Sequence, residues 1–116
     1  MEARDCTVLY YRTISDAVPF QEWRDGLKDK TITARIDARL ARFRGGNFGD
    51  SEPIGDGASE NKIDFGPGYR IYYGLDGNDL LILLCGGDKA TQGADIRRAK
   101  AYWKDYKERK RLGTRS

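Results

Sequence analysis

Histidine is absent from this chain of 116 residues, which removes the side chain that most often moves protons near neutral pH. Any proton transfer must then fall to Lys, Arg, Tyr or carboxylates shifted from their ordinary pKa values. Cysteine is nearly as scarce. Cys6 and Cys85 are far apart, each lies in an expected strand, and no CxxC pair completes a zinc site, so the pattern reads as two buried thiols in a reducing cytosol. Long apolar runs are also missing. The longest, Leu80 to Cys85, is far short of the ~20 residues of a membrane span, and the charged start at Glu2, Arg4 and Asp5 is unlike a secretory signal. These absences lead us to expect a cytoplasmic protein in which residues 1–116 form one domain around one core, with neither metal nor cofactor.

What is present is charge, unevenly placed. The formal net charge is only +3, yet residues 97–116 hold nine Lys or Arg against two acids. A basic end on a slightly acidic body suits a polyanion partner, because each cation near a phosphate releases condensed counterions; a solvated helix end would explain the same run. Arg97, Arg98, Arg109, Lys110 and Arg111 are the candidate contacts to such a polyanion.

The β-branched and aromatic run Thr7 to Arg12 predicts a first strand. Pro19 suits a first helical turn, and Phe20, Trp23, Arg24 and Leu27 follow at helical spacing. Asp29 starts a second helix, in which Ile32, Ile36, Leu40 and Phe43 recur on one face until Gly45-Gly46 stops it. Asn47 to Gly57, rich in Gly, Asp, Ser and Pro, reads as a connecting loop. Strands are expected at Ala58–Phe65, Tyr69–Tyr73 and Asp79–Cys85, the last apolar enough for burial on both faces. Gly66-Pro67-Gly68 and Asp76-Gly77-Asn78 supply the turns of an antiparallel meander. A final helix from about Asp95 to Arg111 carries Ile96, Ala99, Tyr102, Trp103 and Tyr106 on one stripe, and the basic helix and tail together cover about 95–116. The helical spacing of Trp23, Tyr102 and Trp103 favours core packing over stacking on bases.

That element order, with FQEW at Phe20 to Trp23, GNFGD at Gly46 to Asp50, FGPGYRIYYG at Phe65 to Gly74 and LLCGGDKATQ at Leu83 to Gln92, resembles the phage Gp49-like, HigB-type addiction-module killer proteins of the RelE/ParE superfamily. The resemblance runs from about Val8 to Trp103. It implies an α+β fold with an N-terminal strand, a two-helix hairpin, a three-stranded meander completing a small twisted sheet, and a C-terminal helix. It also implies a toxin of a type II toxin-antitoxin system: a metal-independent endoribonuclease that cuts ribosome-bound messenger RNA, held silent by a small helix-turn-helix antitoxin. Superfamily members divide between this activity and non-enzymatic inhibition of DNA gyrase, and a non-catalytic RNA-binding module is a third reading.

Attack by an RNA 2′-hydroxyl needs a proton acceptor, positive charge to stabilise the phosphorane, and an acid for the 5′-oxygen. By likeness, Lys62, Arg70 and Lys89 fall on the family's basic catalytic positions. Lys62 and Arg70 share one phase in their strands, and Lys89 sits in a GGDK turn where glycine lets backbone approach a ligand. The acid is left open among Tyr72, Gln92, Asp95 and a later helix residue, since Asp95 stands where RelE-like proteins have a tyrosine. Asn61 shares the apolar face of Ile63 and Phe65 and would need partners there. Its replacement by Leu is expected to stabilise the fold by ~1 kcal/mol or more, as removal of a buried polar group.

Overall fold

A computed structural model describes residues 5–113. The elements are β1 (Thr7–Tyr10), α1 (Pro19–Gly26), α2 (Lys30–Arg44), β2 (Ser51–Gly55), β3 (Ala58–Ile63), β4 (Tyr69–Leu75), β5 (Leu80–Gly87), a 3-10 turn (Lys89–Thr91) and α3 (Gln92–Arg111). The five strands form one mixed sheet in the order β1-β5-β4-β3-β2. β1 runs parallel to β5, and the remaining neighbours are antiparallel.

The α+β class, the helical hairpin, the meander and the terminal helix stand as expected. The strand count does not. Ser51–Gly55 lies inside the segment read as loop, yet it pairs with β3 through Ser51↔Asn61 and Glu52↔Glu60. Its Pro53 is tolerated because β2 is the sheet edge, where a missing N–H breaks no inner ladder. The final helix also begins earlier than Asp95. Asp88 caps the 3-10 turn by accepting from the Thr91 N–H, while the Thr91 hydroxyl bonds back to Asp88, and α3 follows at once.

Each helical layer buries one face of the sheet. α1 and α2 deliver Phe20, Ile32, Ile36, Leu40 and Phe43 against Ile63, Ile71, Tyr73, Leu81 and Leu83. α3 lays Ala99 and Trp103 over Ala58, Tyr72, Ile82, Leu84 and Cys85. Alternate residues of β5 therefore feed two cores, which is why its apolar run is continuous. Pairing jumps from Tyr72↔Cys85 to Tyr73↔Leu83, leaving Leu84 as the extra residue of a bulge. Both tryptophans press on backbone rather than wait for bases. Trp23 covers Gly86, and a Cβ at Gly74 would lie 2.5 Å from the Trp103 ring. Tyr102 stacks on Tyr11 with centroids 5.0 Å apart. Cys6 and Cys85 are buried and unbridged. Among the described residues no helix is long and apolar enough to cross a membrane.

Asn61 is fully buried on the α2 side, as its phase required. Its amide nitrogen donates to the Phe48 carbonyl at 2.6 Å and to Ser51 Oγ at 2.9 Å, and its carbonyl accepts from Arg39 Nη1 at 2.6 Å. The expectation that leucine would be better there is corrected: the amide is a satisfied junction between α2, β2 and β3, not a stranded polar group.

Candidate functional site

Even-numbered residues of β3 and β4 face the α3 side of the sheet. α3 covers this face only in part. At the end it leaves open, where β3 turns into β4, lies an open cleft of about 580 Å³ lined by Asp50, Lys62, Asp64, Gly66, Pro67, Gly68, Tyr69, Arg70 and Lys89, within the size range of small-ligand sites. Three elements bring the bases together. Lys62 and Arg70 are direct cross-strand partners. Lys89 arrives from beyond β5, its backbone N–H donating to the Pro67 carbonyl at 3.4 Å. Gly68 sits between them at φ 80°, and a Cβ there would lie 3.4 Å from Arg70 Nη1 and 3.7 Å from the Lys89 Cβ. The GPG turn is thus a backbone wall against which two cations pack.

Like charges directly opposite on a sheet are unfavourable. The fold offsets this at Arg70 with a buried carboxylate. Arg70 Nε lies 3.3 Å from Glu60 Oε2, an ion pair without hydrogen-bond alignment, and Nη1 donates to the Gly68 carbonyl at 2.8 Å. Glu60 Oε2 also accepts from Tyr72 Oη at 3.0 Å and from Gln92 Nε2 at 2.8 Å. Glu60 and Arg70 are 4% and 8% exposed, so the guanidinium is held in one orientation at the edge of the cleft. Lys62 and Lys89 form no ion pair among the described residues, so two ammoniums stand beside an oriented guanidinium, with Asp50 and Asp64 also on the cleft wall. The arrangement suits a dianionic or bridging phosphate: one fixed guanidinium and two mobile ammoniums.

The structure brings Lys62, Arg70 and Lys89 together but does not bring the proposed acids with them. Tyr72 is fully buried under α3. Burial, then its bond to Glu60, pushes its pKa far above the ordinary phenol value. Asp95 is also buried; its oxygens accept from Thr91 Oγ1 at 2.5 Å and from Arg98. Neither lines the cleft. Gln92 is committed to Glu60. The protic groups that do line it are Tyr69, Asp50 and Asp64. Sequence reasoning passed over these and Glu60, although Glu60 two places before Lys62 was a visible sign of a counter-ion on the same face. Among the described residues no group of three or more carboxylates or thiols is placed to hold a metal ion.

The C-terminal bases differ from the expected free stripe. Arg98 pairs with Asp95, Arg109 with Asp105, Lys110 with Asp76 at 2.5 Å, and Arg111 with Glu108 at 2.7 Å. Arg109 also donates to the Arg12 carbonyl at 2.5 Å and lies over the Tyr11 ring. Arg109 and Lys110 thereby fasten α3 to the segment after β1 and to the β4–β5 turn, at the opposite end of the sheet from the cleft, while the Arg98 and Arg111 pairs lie within the helix. Among the described residues Arg97 makes no such pair.

No family model matches the chain, and no solved structure matches it. A protein of Haemophilus influenzae, strain Rd, described as an uncharacterized protein, is 46% identical over 87 residues, covering 75% of this chain and 88% of that one.

Proposed function

The chain belongs to the family of that Haemophilus influenzae protein, and we propose that it is a toxin of the RelE/ParE type that cleaves ribosome-bound messenger RNA and is silenced by a cognate antitoxin. The observation that carries this reading is the meeting of Lys62, Arg70 and Lys89 in one cleft, with Arg70 oriented from behind by Glu60. The motif likeness supplies the substrate class.

In the proposed reaction the 2′-oxygen attacks the adjacent phosphorus, the bond from phosphorus to the 5′-oxygen breaks, and a 2′,3′-cyclic phosphate and a 5′-hydroxyl result. The developing negative charge sits on the phosphorane oxygens, where Arg70 offers a fixed guanidinium and the lysines offer point charges. Without histidine, Asp50 or Asp64 takes the 2′ proton and the ammonium of Lys62 or Lys89 returns one to the 5′-oxygen. The antitoxin covers the same cleft.

Single-turnover cleavage of messages on programmed ribosomes, read by primer extension, tests the proposal. New 5′ ends are expected within translated frames, and Lys62→Ala, Lys89→Ala and Arg70→Lys should each slow cleavage ~10-fold or more. Parent-rate cleavage by all three variants would show the site to be wrong. Intact messages with double-strand DNA breaks in induced cells would move the target to gyrase.

A further inference from the structure

Four bases of α3 behave differently from those that fasten it. Arg97, Lys100, Lys104 and Lys107 follow at intervals of three, four and three residues. At about 100° per residue they occupy a sector of about 80° and span about 15 Å along the axis. None of the four forms an ion pair among the described residues; Lys107 donates only to the Asp56 backbone carbonyl at 3.0 Å and lies 5.6 Å from the Trp103 ring centroid. Three of the lysines line a furrow of about 390 Å³ between α3 and the β2–β3 turn, with Asp56 and Ala101. The neighbouring Arg98 and Arg109, on another side of the helix, are neutralised by Asp95 and Asp105. The fold has therefore paired the cations that hold it together and left Arg97, Lys100, Lys104 and Lys107 as an excess of positive charge on one side of the same helix, where the helix's own acid, Glu108, is paired with Arg111 and has its pKa lowered first by it and then also by Lys104.

We propose that this face is a docking surface for the phosphate backbone of a folded, double-stranded RNA, distinct from the cleft. The choice of RNA rests on the function proposed above; the choice of a nucleic-acid backbone does not. Successive bases stand about 5 Å apart along the helix, a spacing that lets each reach a different phosphate along a strand. Lysines on flexible stems tolerate irregular phosphate positions and carry no preference for bases. A protein partner fits poorly, because protein interfaces are depleted in lysine and need an apolar centre, whereas Ala101 is the one apolar residue of the furrow. The stripe begins a little over one turn beyond Gln92, whose amide reaches Glu60 behind the cleft. A structured RNA held here would bring single-stranded message toward the cleft.

The test is binding of the full chain to a labelled 20-base-pair RNA duplex of arbitrary sequence, titrated against salt. Measurement needs no cleavage, so its outcome is independent of whether the nuclease reading holds. The variant Lys100→Gln/Lys104→Gln/Lys107→Gln should bind at least 10-fold more weakly at low salt and flatten the slope of log K against log salt by roughly 2–3, close to one counterion per phosphate contact. Lys28→Gln/Lys30→Gln/Arg44→Gln removes the same charge elsewhere and should change neither quantity by as much. Lys62→Gln/Lys89→Gln should keep most duplex binding. The proposal is overturned if the α3 triple variant binds like the parent, if both triple variants lose affinity equally, if a DNA duplex binds more tightly than the RNA, or if an acidic polypeptide competes at stoichiometric concentration. Circular dichroism of the α3 triple variant checks that it is folded.

Discussion

Replacing Asn61 by leucine should destabilise the protein, although it exchanges a buried amide for an apolar group of similar size. Two bonds, to the Phe48 carbonyl and Ser51 Oγ, are neutral, and one is made to the Arg39 guanidinium. At about 1 kcal/mol for each neutral bond and about 2 for the charged one, the loss is about 4 kcal/mol. The added apolar burial returns about 1–2 kcal/mol. Phe48 and Arg39 keep other partners, Ser51 Oγ and the Lys62 carbonyl, so neither is wholly stranded. The net is about 2–3 kcal/mol, or a fall in Tm of about 10 °C for a domain of this size. Arg39 Nη1 holds the Lys62 carbonyl at 2.8 Å, so a shifted Arg39 should also loosen Lys62 and slow any cleavage beyond what the lost stability explains. Thermal and urea unfolding followed by circular dichroism measure the first effect. A leucine variant as stable as the parent, or more so, would refute the reading of Asn61 as a junction.

Glu60→Gln should leave Arg70 buried without its counter-charge, costing about 3–5 kcal/mol, whereas Glu60→Gln combined with Arg70→Met should recover part of that stability while remaining inactive; no recovery would mean that the pair is not coupled. Acid should weaken the fold through Asp76, held below the usual carboxylate range by Lys110 and then Tyr106, and through Asp105, lowered first by Tyr11. Depressed folded-state values give stability that is present above the unfolded value of about 3.9 and lost as pH falls through the folded one, so Asp76→Asn should flatten the acid limb of a Tm–pH profile. At the alkaline end burial, then Asp105 and Asp76, raises Tyr11 and Tyr106 to about 12. The unfolded chain then releases these protons from about pH 10, and stability should decline from there, tracked by tyrosinate absorbance.

The parts of this fold that were readable were those set by local periodicity. Ile32, Ile36, Leu40 and Phe43 all reach the core, and the phase shared by Lys62 and Arg70 does make them neighbours. β2 was hidden because an edge strand with a proline and flanking glycines has the composition of a loop; Asp56-Gly57, a hairpin signal, was the clue available. The acid was misplaced for another reason. Tyr72 has the phase of Arg70, but phase does not tell which end of a face α3 covers, and α3 covers Tyr72. The C-terminal run misled because its counter-ions come from elsewhere: Asp76 lies in the β4–β5 turn, and the Arg12 carbonyl is near the other terminus. A charge count along the chain sees none of that.

The parallel pairing of β1 with β5 sets an order on biosynthesis. Thr7 to Tyr10 leave the ribosome first, yet their sheet partners, Leu80 to Leu83, come only after the helical hairpin and most of the meander. A chain made from the N-terminus must therefore carry Phe20, Ile36 and Phe43 without the Leu81 and Leu83 surface they pack against until late in translation. Closing so long a loop is the slow, entropically costly step of such a topology. The basic cleft, built from β3, β4 and the turn after β5, forms at that same stage, so a nascent chain has no assembled site until Lys89 has emerged.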